Sequence, residues 1–182
     1  MTRTCMAGNT ARRLGALGPV LSLALALASA AGAQERPMTA QALVDRAQIE
    51  DLLTRYYYNL GHGSADSFSA FYAGDAELVL GPNSYKGKDG IEGAYKAAGA
   101  NAPGRKAFSF NVMLSNPLIV VHGSTATAQL IFTEIIIDTE GAAPRVLTQG
   151  REYDNLVRVK GQWRFKKRQI LPGAQEPAGW VG

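Results

Sequence analysis

The sequence has little of the chemistry that thiol enzymes and metal sites use, since its 182 residues include one cysteine and two histidines. The cysteine, Cys5, lies in a stretch that we expect to be removed, which leaves no thiol nucleophile and no disulfide. The histidines, His62 and His122, are far apart, and the carboxylates show no metal-binding spacing, so no metal site is predicted. No dinucleotide, Walker or Gly-x-Ser-x-Gly pattern occurs, and no cofactor is expected.

The N-terminal 33 residues are typical of a secretory signal peptide. Arginines precede the apolar run Leu14–Ala31, and a small-residue cleavage pattern ends just before Gln34. We therefore expect residues 1–33 to direct the protein to the periplasm or out of the cell. If translation starts at Met38 instead, the protein stays in the cytoplasm. No later segment is long and apolar enough to span a membrane, so no membrane contact is expected after cleavage.

The positive charge of the chain comes mostly from this signal. The full sequence has 19 basic and 15 acidic residues, and without the three arginines of residues 1–33 it has 16 basic residues and a net charge of +1. This balance gives no support for nucleic-acid binding. We expect residues 34–40 to form a polar leader, residues 41–171 one domain and residues 172–182 a C-terminal tail.

Helical patterns come first in this domain and strand patterns follow. Apolar residues at spacings of three and four predict an amphipathic helix, which Thr39 caps and Gly61 ends. Two shorter helices are predicted around residues 68–72 and 88–98. Strands are predicted at 76–80, at 106–121 with a bulge or bend at Asn116-Pro117, and at 125–138, 145–160 and 162–171. Helices followed by a meander of long strands indicate an α+β fold.

Four stretches of the domain carry a family resemblance: RYYYNLGHGSADSFSAFYAGDAEL, GKDGI, NPLIVVHGSTATA and GREYDNLVRVKGQWRFKKR. Together they resemble SnoaL-like proteins of the nuclear transport factor 2-like superfamily. The resemblance implies a cone-shaped, curved antiparallel sheet closed by three N-terminal helices, the cystatin-like roll, with the active pocket inside the cone. It also implies a homodimer and cofactor-free proton transfer, as in scytalone-dehydratase-like enzymes, ketosteroid isomerases and lyases that release formaldehyde from lignin-derived diarylpropanes.

The sequence departs from this family pattern at the positions that matter most for catalysis. Family members often carry Asp-x-x-Asp after the first helix, and the matching positions here are Gly61 and Ser64. Dehydratase-like members carry a histidine at the start of a strand, and the matching position is Asn111 (or Phe110). The aspartate–histidine machinery is therefore absent.

Three consecutive tyrosines lie near the end of the first predicted helix. At about 100° per residue, at most two of them face inward, and we expect these to be Tyr56 and Tyr57, with Tyr58 at the surface. A phenol in an apolar pocket can stabilise a developing oxyanion or act as a general acid. The alternative is a core tyrosine whose hydroxyl is satisfied. His62 is a further candidate acid or base, and a role in capping the helix end is favoured for it.

Two glutamates are candidate bases. Glu134 lies in a row of apolar strand residues, and Glu152 falls where the family pattern Gly-x-Tyr-x-Asp would place tyrosine. Alternation places Glu134 on one face with Phe132 and Ile136, and Glu152 on one face with Asp154. Burial would raise the pKa of either carboxyl and favour a role as a base, whereas a structural ion pair is the alternative.

Strict alternation also divides the last strand into two faces. It places Trp163 and Phe165 on one face and the basic residues Arg164, Lys166 and Arg168 on the other, which we interpret as solvated or ion-paired. The predicted substrate-binding residues come from four different positions along the strands: Asn111, Met113, Gln149 and Trp163.

The sequence predicts a cofactor-independent lyase that removes water or formaldehyde from a small aromatic or polycyclic hydroxylated molecule. Two alternatives stay open: an isomerase of the ketosteroid type, and a non-catalytic module that binds a small ligand or dimerises. A buried carboxyl with a raised pKa would favour catalysis. A cone filled by Trp163 and Phe165 would favour binding.

Overall fold

The computed structural model describes residues 38–62, 65–101 and 107–181, so the proposed signal peptide (1–33) lies outside the described residues. The helices are α1 (Ala40–His62), a 3-10 helix (Ala65–Phe71) and α2 (Gly87–Asn101). The strands are β1 (Tyr72–Leu80), β2 (Asn83–Lys86), β3 (Ser109–His122), β4 (Thr125–Ile137), β5 (Arg145–Val159) and β6 (Gln162–Pro172). No helix in these ranges is long and apolar enough to cross a membrane.

The six strands form one curved sheet in the order β2-β1-β6-β5-β4-β3, which does not close because β2 and β3 are its edges. β1 runs parallel to β6, and every other pair of neighbours is antiparallel. Register shifts interrupt the β3–β4, β4–β5 and β5–β6 ladders, and such bulges bend a sheet. The α+β prediction is confirmed, with a mixed rather than a wholly antiparallel sheet.

The expectation of three closing helices holds only in part for the described residues, where two α-helices and one 3-10 helix are found. The predicted second helix is the 3-10 helix, and it ends before Tyr72. Tyr72 pairs with Phe165 of β6, so its backbone is part of the sheet and is not available to extend the helix. Strand β2 was not predicted either, and its four residues lie between the strand predicted at 76–80 and the helix predicted around 88–98.

Helix α1 forms where the spacing predicted it and packs against β3 and β6. The backbone N–H of Ala42 donates to Oγ1 of Thr39 over 3.1 Å, so the predicted N-cap is confirmed. Its buried face carries Ile49, Leu52 and Leu53, each at most 2% exposed. This face covers the inner face of the sheet, which is where the core lies.

The predicted breaks in the strands are also present. Asn116 has a φ of 53°, and the register of β3 shifts between Ser115 and Leu118. The turn between β5 and β6 has a positive φ at both central residues, 49° at Lys160 and 81° at Gly161. This conformation matches the right-handed twist of a two-residue hairpin.

A bulge in β6 decides which of its side chains face the core. Lys166 has no partner on β5, because the residues on either side of it pair with the consecutive residues Asn155 and Leu156. The extra residue reverses the alternation beyond it, so Phe165 and Arg168 face the same side and both are 0% exposed. The prediction that Arg168 lies on the outer face is therefore wrong, whereas the ion pair that we gave as an alternative to solvation is present.

The tight packing around Gly150 gives a stability test of this inner face. A Cβ at Gly150 would lie 2.4 Å from the carbonyl oxygen of Leu171 and 2.7 Å from Cζ of Phe132. Because the nearer atom belongs to the backbone, we expect Gly150→Ala to lower the free energy of unfolding by about 1–3 kcal/mol in urea denaturation. The matched control is Gly93→Ala in α2, where no atom lies within 4 Å and alanine should be neutral or stabilising. Equal stability of the two variants would contradict this packing.

Candidate active site

Three charged side chains are fully buried on the inner face of the sheet. Glu152 and Asp154 of β5 and Arg168 of β6 are each 0% exposed, and we call them the buried charge cluster. Nη2 of Arg168 forms an ion pair with Oε1 of Glu152, and Nε of Arg168 lies 3.7 Å from Oδ1 of Asp154. The two carboxyls share a face because they are two residues apart on one strand.

Aromatic rings surround the guanidinium group of Arg168. Its central carbon lies 3.7 Å from the ring centroid of Tyr56, 4.4 Å from that of Phe165 and 5.1 Å from that of Tyr57. These cation–π contacts replace part of the hydration that the cation has lost. Burial alone would lower the pKa of Arg168, but the negative charge of Glu152 raises it overall, so the arginine stays charged.

Tyr57 joins this cluster from α1. Its hydroxyl donates a hydrogen bond to Oε2 of Glu152, and its side chain is 8% exposed. Burial, and next the charge of Glu152, raises the pKa of Tyr57 well above its usual value, so the phenol keeps its proton near neutral pH. Tyr56 also faces inward while Tyr58 is 71% exposed, which confirms the predicted orientation of the three tyrosines.

Tyr56 belongs to a separate chain of buried phenols. Its hydroxyl is hydrogen-bonded to that of Tyr95 of α2, which in turn lies 2.9 Å from the hydroxyl of Tyr72 of β1. Burial raises the pKa of all three hydroxyls. The hydroxyl of Tyr56 is thus satisfied within the core, and its ring supports Arg168.

An open cleft of about 340 Å³ lies between α1 and β3. It is lined by residues of these two elements: Thr54, Tyr57, Tyr58, Phe110, Asn111, Val112 and Leu114. We call it the α1–β3 cleft. Tyr57 lines this cleft and also contacts the buried charge cluster, so it connects the cleft with the buried carboxyls.

A larger hollow of about 450 Å³ lies elsewhere, near His122, Asp75 and Lys166. Its two charged lining residues, Asp75 and Lys166, form an ion pair with each other. Because Tyr57 lines the α1–β3 cleft and donates a hydrogen bond to Glu152, this smaller cleft is the better candidate site.

Two of the predicted substrate contacts lie away from the inner face. Met113 is 59% exposed, with its neighbours Val112 and Leu114 lining the cleft on the opposite side of β3. Gln149 is exposed and donates to Oγ1 of Thr133 over 2.9 Å. Alternation along β3 and β5 accounts for both positions.

The other two predicted substrate contacts differ in their surroundings. Asn111 is exposed at the edge of the α1–β3 cleft, and its amide donates to Oγ of Ser109 over 3.0 Å. Trp163 is 3% exposed and packs in the core, with the guanidinium carbon of Arg158 at 4.7 Å from its ring. Asn111 is therefore the one of the four that borders the cleft.

The remaining candidates stand outside the cluster or outside the described side chains. Glu134 is partly buried opposite Val112 and Thr148, and burial raises its pKa above the usual value. His62 is the last residue of α1, but its side chain lies outside the described part, so its role stays a prediction. Among the residues that the structure describes, no group of three His, Cys, Asp or Glu side chains is placed to hold a metal ion.

Our reading of the sequence missed Arg168 and Asp154 as members of the site. A signal was present, because two acids on the inner face of one strand require a nearby cation or a proton. The bulge at Lys166 hid the cation, since strict alternation assigns Arg168 to the outer face.

Comparison with known proteins identifies the family. A model of the SnoaL-like domain matches residues 41–169. The chain belongs to the SnoaL-like domain family. Membership places it in the nuclear transport factor 2-like superfamily. The fold of this superfamily is one that cofactor-independent small-molecule enzymes use. No curated protein gives a significant match.

Solved structures show the same fold at low sequence identity. A provisionally assigned scytalone dehydratase from Novosphingobium aromaticivorans is 23% identical, with a TM-score of 0.60, over 77% of this chain and 97% of that one. An NTF2-like protein with a cystatin-like fold from the same organism is 21% identical, with a TM-score of 0.60, over 76% and 88%. The protein Aln2 from a Streptomyces species is 20% identical, with a TM-score of 0.64, over 76% and 94%. At these identities the likeness establishes the fold alone.

The buried ion pair predicts a large difference between two basic residues that are close in sequence. Arg168→Met leaves Glu152 buried without its cation, so we expect the free energy of unfolding to fall by about 3–5 kcal/mol. Lys166→Met, in the exposed pair with Asp75, should change stability little. Chemical denaturation of both variants would check this. If Lys166→Met proved the more damaging change, Arg168 would not be the buried residue.

Proposed function

We propose that the protein is a cofactor-independent lyase that eliminates water or formaldehyde from a small aromatic hydroxylated molecule. The substrate binds in the α1–β3 cleft, and Tyr57 and Glu152 transfer the proton. The observation that carries this proposal is the hydrogen bond from Tyr57, which lines the cleft, to the buried carboxyl of Glu152. Family membership supports it, because the fold is one that cofactor-independent enzymes use.

The Tyr57–Glu152 pair can both accept and return a proton. In dehydration, the phenol oxygen takes the proton from the substrate carbon while the phenol proton passes to Glu152. The electron pair of the broken C–H bond forms the double bond, and the C–O bond breaks. Glu152 then returns its proton through Tyr57 to the departing hydroxyl, so water leaves and both groups regain their starting states.

The raised pKa of Tyr57 suits this coupled transfer. The phenol does not ionise by itself near neutral pH, so it loses its proton to Glu152 only as it gains another. Arg168 holds the carboxyl of Glu152 in place through the ion pair, and this arrangement needs no solvent reorganisation during the reaction.

The lining of the cleft indicates the class of substrate. Phe110, Val112 and Leu114 supply apolar surface, and Thr54 and Asn111 add polar groups at the edge. A volume of about 340 Å³ falls at the small end of the range for ligand pockets, about 300–1,000 Å³. A single-ring or two-ring hydroxylated aromatic molecule fits this description.

A non-catalytic role in binding small ligands is the second candidate. It is favoured by Trp163 and Phe165, which pack in the core and fill part of the space inside the sheet. Gly61 and Asn111 favour it as well, because they occupy the positions where the family's dehydratase-like members carry aspartate and histidine. An isomerase would use the same Tyr57–Glu152 pair and would differ in where the proton returns.

Export and dimerisation remain expectations. The signal-like N-terminal stretch predicts the periplasm or the outside of the cell. The family resemblance predicts a homodimer through the outer face of the sheet, on which Met113 and Val146 are 59% and 60% exposed. Sedimentation equilibrium of residues 34–182 would test the dimer, and a monomer at micromolar concentration would contradict it.

The proposed function is tested by incubating purified protein, without added cofactor, with a panel of phenolic and diaryl diols. We expect product formation with at least one of them, followed by ultraviolet absorbance or by formaldehyde release. Because Tyr57 carries the proton, Tyr57→Phe should lower the rate about 10²-fold or more.

The matched control is Tyr72→Phe, which removes an equally buried hydroxyl that bonds to Tyr95 and lies outside the cleft. Its rate should stay within a fewfold of the wild type. Equal losses in the two variants would exclude Tyr57 from the proton transfer. Saturable binding of panel members with no turnover would support the binding module instead.

A further inference from the structure

We propose that Asp154 carries a proton in the native protein and donates it as a hydrogen bond to Glu152, so that Arg168 balances a single carboxylate. Under this assignment Asp154 is a positioning residue for Glu152. The inference deepens the proposed function and rests on it for its catalytic meaning, although its protonation state can be tested without any activity assay.

The first argument is the charge of the cluster. Two carboxylates and one guanidinium would leave a net charge of −1, and all three side chains are 0% exposed. An isolated charge in such surroundings costs several kcal/mol, which a group usually avoids by taking up or losing a proton. One proton on a carboxyl makes the cluster neutral.

The second argument is the arrangement of hydrogen bonds. Neither carboxyl oxygen of Asp154 has a hydrogen-bond partner in the described part of the chain. The distance of 3.7 Å from its Oδ1 to Nε of Arg168 is too long for a hydrogen bond. Glu152 and Asp154 both lie beside Arg168, Glu152 at Nη2 and Asp154 near Nε, so two buried carboxyls share one cation. Two ionised carboxylates in this position repel each other, and a proton on one of them removes the repulsion.

The third argument assigns the proton to Asp154 rather than to Glu152. Glu152 forms the ion pair with Arg168 and accepts the hydrogen bond of Tyr57, whereas neither oxygen of Asp154 has a hydrogen-bond partner among the described residues. Burial, and next the charge of Glu152, raises the pKa of Asp154 well above its usual value.

The titratable groups next to Asp154 are Glu152 on its own strand, Arg168 on β6 and Tyr72 on β1. Beyond them, Tyr56 and Tyr57 of α1 contact Arg168, and Tyr95 of α2 is hydrogen-bonded to Tyr56 and Tyr72. The phenols keep their protons near neutral pH because burial raises the pKa of each, so Arg168 and Glu152 are the charged members.

A neutral Asp154 has a direct consequence for catalysis. It can hold one oxygen of the Glu152 carboxylate while Tyr57 approaches the other, and it leaves Glu152 ionised and ready to accept a proton. If Asp154 lost its proton, a second negative charge would lie next to Glu152, and the carboxyl pair would hold a proton too tightly to return it through Tyr57.

The test compares Asp154→Asn with Glu152→Gln, since both changes replace a carboxyl by an amide of the same shape. An amide is close to a neutral acid in its hydrogen bonding, so Asp154→Asn should keep most of the stability at pH 7. Glu152→Gln removes the counter-charge of Arg168 and should be clearly less stable in urea denaturation. A less stable Asp154→Asn protein would overturn the assignment.

The pH dependence supplies the sharper readout. The proposal gives Asp154 a pKa in the folded protein that is higher than its unfolded value of about 3.9. Its contribution to the stability of the folded protein is then complete below that value and is lost as pH rises towards the folded pKa. The folding equilibrium constant of the wild type should therefore fall relative to that of Asp154→Asn, by up to about tenfold per pH unit from about pH 4 upward. A constant ratio, or one that moves the other way, would overturn the proposal.

Infrared spectroscopy of the wild type covers the case in which the variants do not fold. At pH 7 we expect a carbonyl band of a neutral carboxylic acid that moves on labelling aspartate with carbon-13, and its absence would overturn the proposal.

Turnover is the separate readout for catalysis. Asp154→Asn should stay within about tenfold of the wild type and keep its rate to higher pH, whereas Glu152→Gln should lose about 10²-fold or more. If no substrate turns over, the proposed function fails while the protonation result stands.

Discussion

The structure depends on how the protein accommodates one buried cation. Arg168 lies with no exposed surface among three aromatic rings and beside two carboxyls. Removing a guanidinium from water costs several kcal/mol unless nearby charges and rings replace the water. Tyr56, Tyr57 and Phe165 therefore serve the site as well as the core, because their rings offset that cost.

This constraint links the fold to the chemistry. Alternation on β5 brings two acids to the inner face, and a single extra residue in β6 turns Arg168 towards them. Helix α1 then places Tyr57 so that its ring lines the cleft and its hydroxyl meets Glu152. By the family resemblance, Gly61 and Asn111 stand at the positions where an aspartate and a histidine are expected. The site proposed here obtains its proton transfer from a different pair of residues on the same fold.

The sequence was sufficient for the parts of the fold that follow local rules. Helix α1 with its Thr39 cap, the bulge at Asn116, the hairpin turn at Lys160-Gly161 and the long strands all follow from spacing and turn chemistry. Each of these features depends on residues close in sequence, so a pattern in one segment specifies it.

The features that the sequence did not reveal depend on contacts between distant segments. The bulge at Lys166 lies in the strand that pairs with both β1 and β5, and no local pattern marks it. The 3-10 helix stops where Tyr72 joins the sheet, which is again a long-range pairing. Glu152 was predicted as a candidate base from its row, but its partners, Arg168 and Tyr57, come from two other elements.

The most direct test of this account is proton NMR of the Tyr57 hydroxyl at low temperature. A phenol that donates to a buried carboxylate, shielded from exchange with water, should give a strongly deshielded proton resonance. We predict that this resonance is present in the wild type, is absent from Tyr57→Phe and shifts when a phenolic ligand enters the α1–β3 cleft. A spectrum without such a resonance, or one that does not respond to any cleft ligand, would contradict the link between the cleft and the buried charge cluster.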